Sequence, residues 1–510
     1  MLEAIFWGSI LRVSQAVIQA APTILVGLLV AGIFRRLLGH EGTRRLFGAG
    51  TRRELPQAWL IGMILPVCSL GVIPVAREMR RAGISGGTVL AFALTAPLFN
   101  PISMLYGLTL SAPLVILSFA FATMVVVTGV GSIWDRLFPN SAVTEPEPAP
   151  VDFGYKRMLA IGFVGAREMS GATLLYILIG LSGVVLLSIV LPSNALQTTM
   201  EHSNPFAPLA MAGVALPAYS TPLVVMSQVG SMFQHANSVG AAFALLTLGA
   251  GANLGLVAWG IACYGWKRGL GWLVVLLAIV LSISYAIEYP LHPREIEPPG
   301  HTHAFDIYCR PFDADSSDLP AIVKAKIDEE VQPYERVALT ALGAFVVVGA
   351  GLRLLDRRVR IEDLLERKSG GARRIDVDVP APVLGASALL VLVGISIVGC
   401  YLYYPSPEEV FDEMRIMRGE VLTAGLSLNH KQAAQYIPIW DDWTRRLQVG
   451  AFIREGTLSP YRRMKAKIFR DRLEFLKHAI EEGDADESRE YVAIVDTAYL
   501  RMRREFLDKR

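Results

Sequence analysis

The chain has 510 residues, of which 53% are hydrophobic and only 18% charged, and its formal net charge is +2. With a positive mean hydropathy, that balance describes a multi-span membrane protein. It excludes a nucleic-acid binder, because no basic excess is available to neutralise phosphates.

The chain begins MLEAIFW, lacks a basic n-region and stays apolar past Ala31, so this stretch reads as a retained span and not a cleaved signal peptide. Apolar stretches of crossing length, roughly 18 to 25 residues, fall near 6–34, 56–76, 88–108 and 112–133. A second set falls near 171–191, 207–231, 239–262 and 270–287, and two more near 337–354 and 381–402. The expected fold class is all-α: a polytopic membrane protein of two four-span repeats with Pro/Gly-broken helices, two extra spans and a C-terminal soluble helical bundle. In domains, this reads as a first repeat over 1–133, a linker over 134–170 and a second repeat over 171–290. A polar loop follows over 291–336, then two added spans with a basic loop over 337–402, and the bundle over 403–510. Within the linker, TEPEPAPVD has linker composition, while Tyr155–Met169 mixes charges with apolar residues and is expected to lie along the membrane interface.

The stretch 62–101 organises the rest. It is mostly apolar, yet Pro66, Pro74, Pro97 and Pro101 interrupt it, with Gly71, Gly83, Gly86 and Gly87 between. Proline removes a backbone donor and clashes with the preceding turn, so neither apolar run is one smooth helix. In hydrocarbon, backbone freed in this way is tolerated only where protein or a water-filled cavity satisfies it. Broken helices at membrane depth are how many transporters build a substrate site.

The pattern returns 151 residues later, where Gly62-x-x-Leu65-Pro66-x-x-Ser69 is echoed by Gly213-x-x-Leu216-Pro217-x-x-Ser220. Ala91-Phe92-Ala93-Leu94 is echoed by Ala242-Phe243-Ala244-Leu245 at the same offset, and Asn100 has a counterpart two positions out of step in Asn253. Two separated motifs at one offset point to an internal duplication.

Loops 35–55 and 355–378 are rich in arginine, and the positive-inside rule places them in the cytoplasm. Strict alternation then puts the N-terminus, loop 288–336 and the tail outside. One re-entrant segment per half would instead make the halves an inverted repeat. Loop 288–336 holds His292, His301, His303, Asp306 and Cys309, an H-x-H-x5-C spacing able to hold a soft metal; the plainer reading, a solvated loop with no metal, is preferred. Beyond Pro407 two stripes at helical spacing appear: Phe411, Met414, Met417, Val421 and Leu422, then Phe469, Leu473, Leu476 and Ile480. Punctuated by Asn429, Ser459-Pro460 and Gly483-Asp484, they read as the core of an antiparallel bundle, which would regulate the membrane part or bind a protein partner.

Ionisable residues are nearly absent from the apolar stretches, Arg77 and Glu78 being the nearest, which argues against a proton-relay pump. A site made of opened backbone, hydroxyls and amides fits better. Its candidates are Ser69, Asn100, Ser103 and Tyr106 from the first half, with Tyr219, Ser220, Thr221, Gln228 and Asn253 from the second. Isolated Ser and Thr in such helices usually bond back to a carbonyl one turn earlier. Ser69 and Ser220 stand out by their place three residues after a repeated Leu-Pro, and Asn100 and Asn253 because an amide both donates to and accepts from freed backbone. The four cysteines, Cys68, Cys263, Cys309 and Cys400, form no CxxC. No HExxH, Gly-rich phosphate loop, Gly-x-Ser-x-Gly elbow or ATP-binding element is present, so neither catalytic residues nor a cofactor are expected.

With Leu65-Pro66-Val67-Cys68-Ser69-Leu70-Gly71-Val72-Ile73-Pro74 in view, the chain resembles the predicted permease family of ArsP type. The family pattern runs approximately P-x-C-S-C-G-x-x-P, then A-F-L-x-x-x-P-x-x-N-P. The second part here reads Ala91-Phe92-Ala93-Leu94-Thr95-Ala96-Pro97-Leu98-Phe99-Asn100-Pro101. The resemblance covers about residues 5 to 290. Characterised members are linked to efflux of trivalent, thiol-seeking organoarsenicals, and many others have no known substrate. By resemblance Cys68, Ser69, Gly71, Pro74, Pro97, Asn100 and Pro101 line or shape the path. Leu70 stands where the family usually has a second cysteine, and a single thiolate binds a soft arsenical much less well than two.

The leading expectation is a multi-pass plasma-membrane permease exporting a small soft or weakly polar solute by alternating access. Its partners would be that solute and the lipid bilayer. The alternative is a membrane-anchored sensor or scaffold whose loop or bundle binds a ligand. An integral-membrane enzyme is disfavoured, with no paired acid, base or metal cluster in view.

Overall fold

Proline and glycine decide where this apolar chain stops being a smooth helix, and the computed structural model shows each interruption. It describes residues 2–110, 113–139, 142, 145–146, 155–192, 195–235, 237–292, 305–312, 318–356 and 381–508. Among them the chain is helical, with no strand. Two compact units are present: residues 1–104 with 114–394, and residues 105–113 with 395–510.

The first unit opens with α1 (Leu2–Ile33), which runs through a π-turn at Phe34–Leu38 into α2 (Gly39–Leu46). Then come α3 (Glu54–Ile64), α4 (Val72–Arg81), α5 (Gly86–Thr95), α6 (Pro101–Leu110), which belongs to the second unit from Leu105 on, and α7 (Pro113–Leu137). Next are α8 (Tyr155–Met169), α9 (Ala172–Val190), α10 (Ala207–Ala215) and α11 (Pro222–Gln234). Helix α12 (Val239–Ala244) leads through a π-turn at Leu245–Ala250 towards α13 (Leu254–Tyr264), and α14 (Trp266–Glu288) follows. The remaining helices of this part are α15 (Leu319–Glu330), α16 (Pro333–Asp356) and α17 (Ala381–Tyr403), whose last turns belong to the second unit.

Six helical stretches among the described residues are long and apolar enough to cross a membrane: Leu2–Leu46, Pro113–Leu137, Ala172–Val190, Trp266–Glu288, Pro333–Leu355 and Gly385–Tyr403. A seventh arises if the pair Val239–Ala250 and Leu254–Tyr264, bent by 59°, counts as one span. This is an all-α, polytopic membrane protein. The breaks expected at the prolines and glycines are present within the ten apolar stretches. Those near 56–76, 88–108 and 207–231 are each two short helices joined by extended or turn backbone at the prolines, and 239–262 is the bent pair. The basic stretch after residue 356 and residues His301 and His303 lie outside the described residues.

Close packing in the first unit uses missing side chains. A Cβ at Gly27 in α1 would fall 2.0 Å from the Gly71 carbonyl oxygen, and one at Gly183 in α9 would fall 1.9 Å from that of Pro217. Each long helix thus meets a helix break backbone to backbone, an approach only small residues permit.

The second unit is a bundle of α18 (Pro407–Ser427), α19 (His430–Glu455), α20 (Pro460–Glu482) and α21 (Ala485–Leu507). Ser406 and Glu409 form a capping box at the start of α18, and Asn429, Ser459 and Asp484 cap the next three helices. Gly456 and Gly483 end α19 and α20 in the left-handed conformation that glycine adopts without strain. Phe411, Met414 and Val421 are buried with Trp440, Phe469, Leu473, Leu476, Ile480 and Tyr499, while Met417 and Leu422 pack at the edge of that core. Asp441 bridges Arg445 of its own helix and Arg470 of α20.

Candidate functional site

The Leu-Pro motifs create the first pair of breaks. Helix α3 stops at Ile64 because Pro66 has no N–H to continue the ladder, and Leu65 turns extended (φ −83°, ψ 123°). Cys68, Ser69 and Gly71 occupy the break, Gly71 starts α4, and Pro74 sits in its first turn, where a missing N–H costs nothing. The Gly71 N–H points at Cys68 Sγ, 3.3 Å away. Ser69 Oγ is shielded from solvent and makes no hydrogen bond among the described residues. In the second half α10 ends at Ala215, and Leu216 stays helical (φ −63°, ψ −46°) before Pro217. Tyr219 and Ser220 lie outside any helix, and Thr221, extended, leads to Pro222, the first residue of α11.

The second pair of breaks is built by asparagine. Pro97 interrupts the chain after α5, and Asn100 opens α6 before Pro101. Its side-chain oxygen accepts from the Ser103 N–H at 2.7 Å, while its own N–H donates to Ser103 Oγ at 3.0 Å. Asn253 opens α13 alike, accepting from the Leu256 N–H at 2.9 Å, and its amide nitrogen is buried with no hydrogen bond among the described residues.

These four breaks converge. Cys68 and Leu70 share one buried cluster with Tyr219, Ile24, Ile177 and Leu181, and the Tyr219 hydroxyl lies beside Cys68 and Thr23. Gly180 of α9 faces both Leu70 and the Asn253 side-chain oxygen, and Gly251 sits against Leu98 and the Leu94 carbonyl. All are buried apart from Pro101, which is half-buried. Tyr106 is not among them. It belongs to the second unit, where its hydroxyl accepts from Arg445 at 3.1 Å.

Sequence reasoning missed what fills the second-half break. Residues 305–312 do not lie free in solvent: Phe305, Tyr308, Cys309 and Phe312 are buried. The Tyr308 hydroxyl donates to Gln228 Oε1 at 2.7 Å and lies 3.2 Å from Ser220 Oγ. Arg12 of α1 donates to the backbone carbonyls of Asp306 and Cys309, and burial pushes the Cys309 thiol above its ordinary range. Cys309 is thus a packed residue.

Also missed was the charge. Glu78 is buried beside Arg81 and Arg35, and Glu168 beside Arg77 and Thr173. Arg77, Arg80 and Arg81 line a cavity of about 160 Å³ together with Glu145, Tyr176, Trp259 and the free thiol of Cys263. Helices α4 and α13 each start at a break and end at this cavity. The spacing of the three arginines, all on one face of a helix, was the signal in the sequence.

One bonding pattern occurs twice. Ser85 caps α5, and Asp135 at the end of α7 accepts from Ser85 Oγ and the Gly87 N–H. Ser238 caps α12, and Glu288 at the end of α14 accepts from Ser238 Oγ and the Gly240 N–H. These pairs stand 153 residues apart, as do Asn100 and Asn253. The bonding register therefore differs by two from the Leu-Pro echo, the second half having two more residues between its Leu-Pro and its capping serine. At the offset of the caps, Ala91 falls opposite Ala244.

Comparison with known proteins agrees with this architecture. The family described as "Predicted permease", ArsP_1, matches residues 8–289. "UPF0718 protein YcgR" of Bacillus subtilis (strain 168) is 33% identical over 85 residues, 17% of this chain and 29% of that protein. The "Putative two-component membrane permease complex subunit" of Streptococcus mutans serotype c (strain ATCC 700610 / UA159) is 26% identical over 86 residues, 17% of this chain and 29% of that protein. The chain thus matches less than a third of the length of either relative. No solved structure matches. With its family match spanning more than half its length, the chain belongs to the ArsP_1 family of predicted permeases and is a multi-pass membrane protein.

Proposed function

We propose that this protein exports a small soft or weakly polar solute, organoarsenical- or metalloid-like, across the plasma membrane by alternating access. The observation that carries this reading is the meeting of four helix breaks, two from each half, around Cys68, Ser69, Leu70, Tyr219 and Asn253. Opened backbone there offers donors and acceptors to a solute at little reorganisation cost, and the Cys68 sulfur supplies one soft ligand. Ser69 Oγ and the Asn253 amide nitrogen, both buried without a hydrogen bond among the described residues, are the groups a polar solute would satisfy. Gly71, Pro74, Pro97, Asn100 and Pro101 shape the path, and Ser220 and Thr221 join it from the second half. The two halves are proposed to be a duplicated repeat, supported by the paired caps and carboxylates. The arginine-lined cavity is the proposed vestibule, and the bundle a regulatory or partner-binding element.

The test is methylarsenite sensitivity in an efflux-deficient bacterial host, comparing wild type, Cys68→Ser and Asn100→Ala at matched membrane expression. Protection by wild type that both substitutions remove supports soft-metalloid export through one thiolate. Protection lost in Asn100→Ala alone keeps the path and makes the thiol incidental. No protection from wild type discards arsenicals. The sensor reading instead predicts that deleting residues 405–510 removes function while Asn100→Ala spares it.

A further inference from the structure

We propose that His202, Glu288 and His292 form a binding site for a divalent transition ion of the zinc class, separate from the substrate path. His202 lies in the loop between α9 and α10, Glu288 ends α14, and His292 stands four residues beyond. One nitrogen of each imidazole and one carboxylate oxygen lie within 4.8 Å of one another. Two imidazoles and one carboxylate make a three-ligand set that suits this ion and leaves a fourth position for water.

The carboxylate is oriented for the task. Its Oε2 is held by Ser238 Oγ at 2.7 Å and the Gly240 N–H at 2.6 Å, which turns Oε1 toward His202 Nδ1, 2.7 Å away. Outer partners of this kind fix a ligand's direction and raise its basicity. His292 Nδ1 is shielded from solvent and makes no hydrogen bond among the described residues. A buried imidazole nitrogen with no bond needs a partner, and an ion would be one.

The other carboxylate of the paired pattern has no histidines beside it in sequence register. Asp135 holds its short helix as Glu288 does, yet Thr51, at the Leu-Pro offset, and Pro139, at the cap offset, stand opposite His202 and His292. Capping alone therefore does not require them. The two imidazoles stack at 3.5 Å with an angle of 14°, and stacked rings share no in-plane point. Coordination thus requires one ring, that of His292 at the chain's exit from α14, to turn edge-on. Occupancy would tie the loop before α10 to the end of α14, and through Ser238 and Gly240 to the start of α12.

The test uses the full-length protein in detergent, stripped with chelator and titrated with Zn²⁺ against a chromophoric competitor. Wild type is expected to take up zinc, with His202→Ala and His292→Ala each weakening binding by at least about tenfold. Millimolar Mg²⁺ should not displace it. Zinc should raise the melting temperature of wild type but not of His292→Ala. X-ray absorption of the wild-type complex, which needs no variant to fold, should show two imidazoles and oxygen at about 2.0 Å. No uptake by wild type, unchanged binding in the double variant His202→Ala/His292→Ala, or sulfur in the first coordination shell would each overturn the assignment.

Discussion

Tyr308 donates a 2.7 Å hydrogen bond to Gln228 from a segment that lies 80 residues further along the chain. Through it, the chain itself occupies polar groups of the second-half break. Removing the hydroxyl in Tyr308→Phe forfeits bonds to Gln228 and Ser220, and is expected to lower stability by about 1 kcal/mol. Tyr308→Ala is expected to open the break further. In a background without native cysteines, Ser220→Cys should then react several-fold faster with a small maleimide. An unchanged rate would mean that this segment does not guard Ser220.

Asn100 and Asn253 do equal work at the starts of α6 and α13. Replacing either with alanine deletes one side-chain cap, a loss of about 1 kcal/mol. Thermal unfolding of the two variants in detergent should therefore shift by similar amounts. Solute export should fall far more than so small a loss of stability explains, since freed backbone at each break loses its acceptor.

Gly27 and Gly183 admit no side chain. A Cβ at either would come within 2.0 Å of a carbonyl oxygen, far inside contact distance. Gly27→Ala and Gly183→Ala are expected to reduce the folded, monodisperse yield on size-exclusion chromatography. Gly213→Ala, with no heavy atom within 4 Å of its Cβ position, should leave the yield unchanged.

Asp441 gives the bundle an acid sensitivity. Burial raises its pKa, but Arg445 and Arg470 outweigh burial and hold the carboxyl at about 2. The unfolded chain takes up this proton near pH 3.9, about the ordinary value for aspartate. The carboxylate's contribution is thus fully present above about pH 4 and is lost as pH falls toward about 2. Hydrogen exchange in α19 of the full chain should accelerate over that window in wild type. Asp441→Asn should be faster already at pH 7, with a flatter pH response.

What the sequence disclosed was what depends on local chain chemistry. Pro66, Pro97 and Pro217 announce their breaks because a missing N–H acts on its own helix, and Ser406, Asn429, Ser459 and Asp484 announce their caps. The Phe469–Ile480 stripe reads as core because helical spacing fixes which side chains share a face. Other features depend on partners distant in sequence. Asp135 looks like an interfacial charge until Ser85 and Gly87 are brought to it, and Tyr308 looks like a loop residue until Gln228 receives it.

Asp135 and Glu288 pin the buried ends of α5 and α12 to the ends of α7 and α14 through two bonds each. A short helix fastened in this way cannot swing alone. Any conformational cycle that keeps those four bonds must carry each short helix and its long neighbour together as one lever. The flexing is then left to the unfastened far ends, at Pro97–Asn100 and Gly251–Asn253, where the chain is already open.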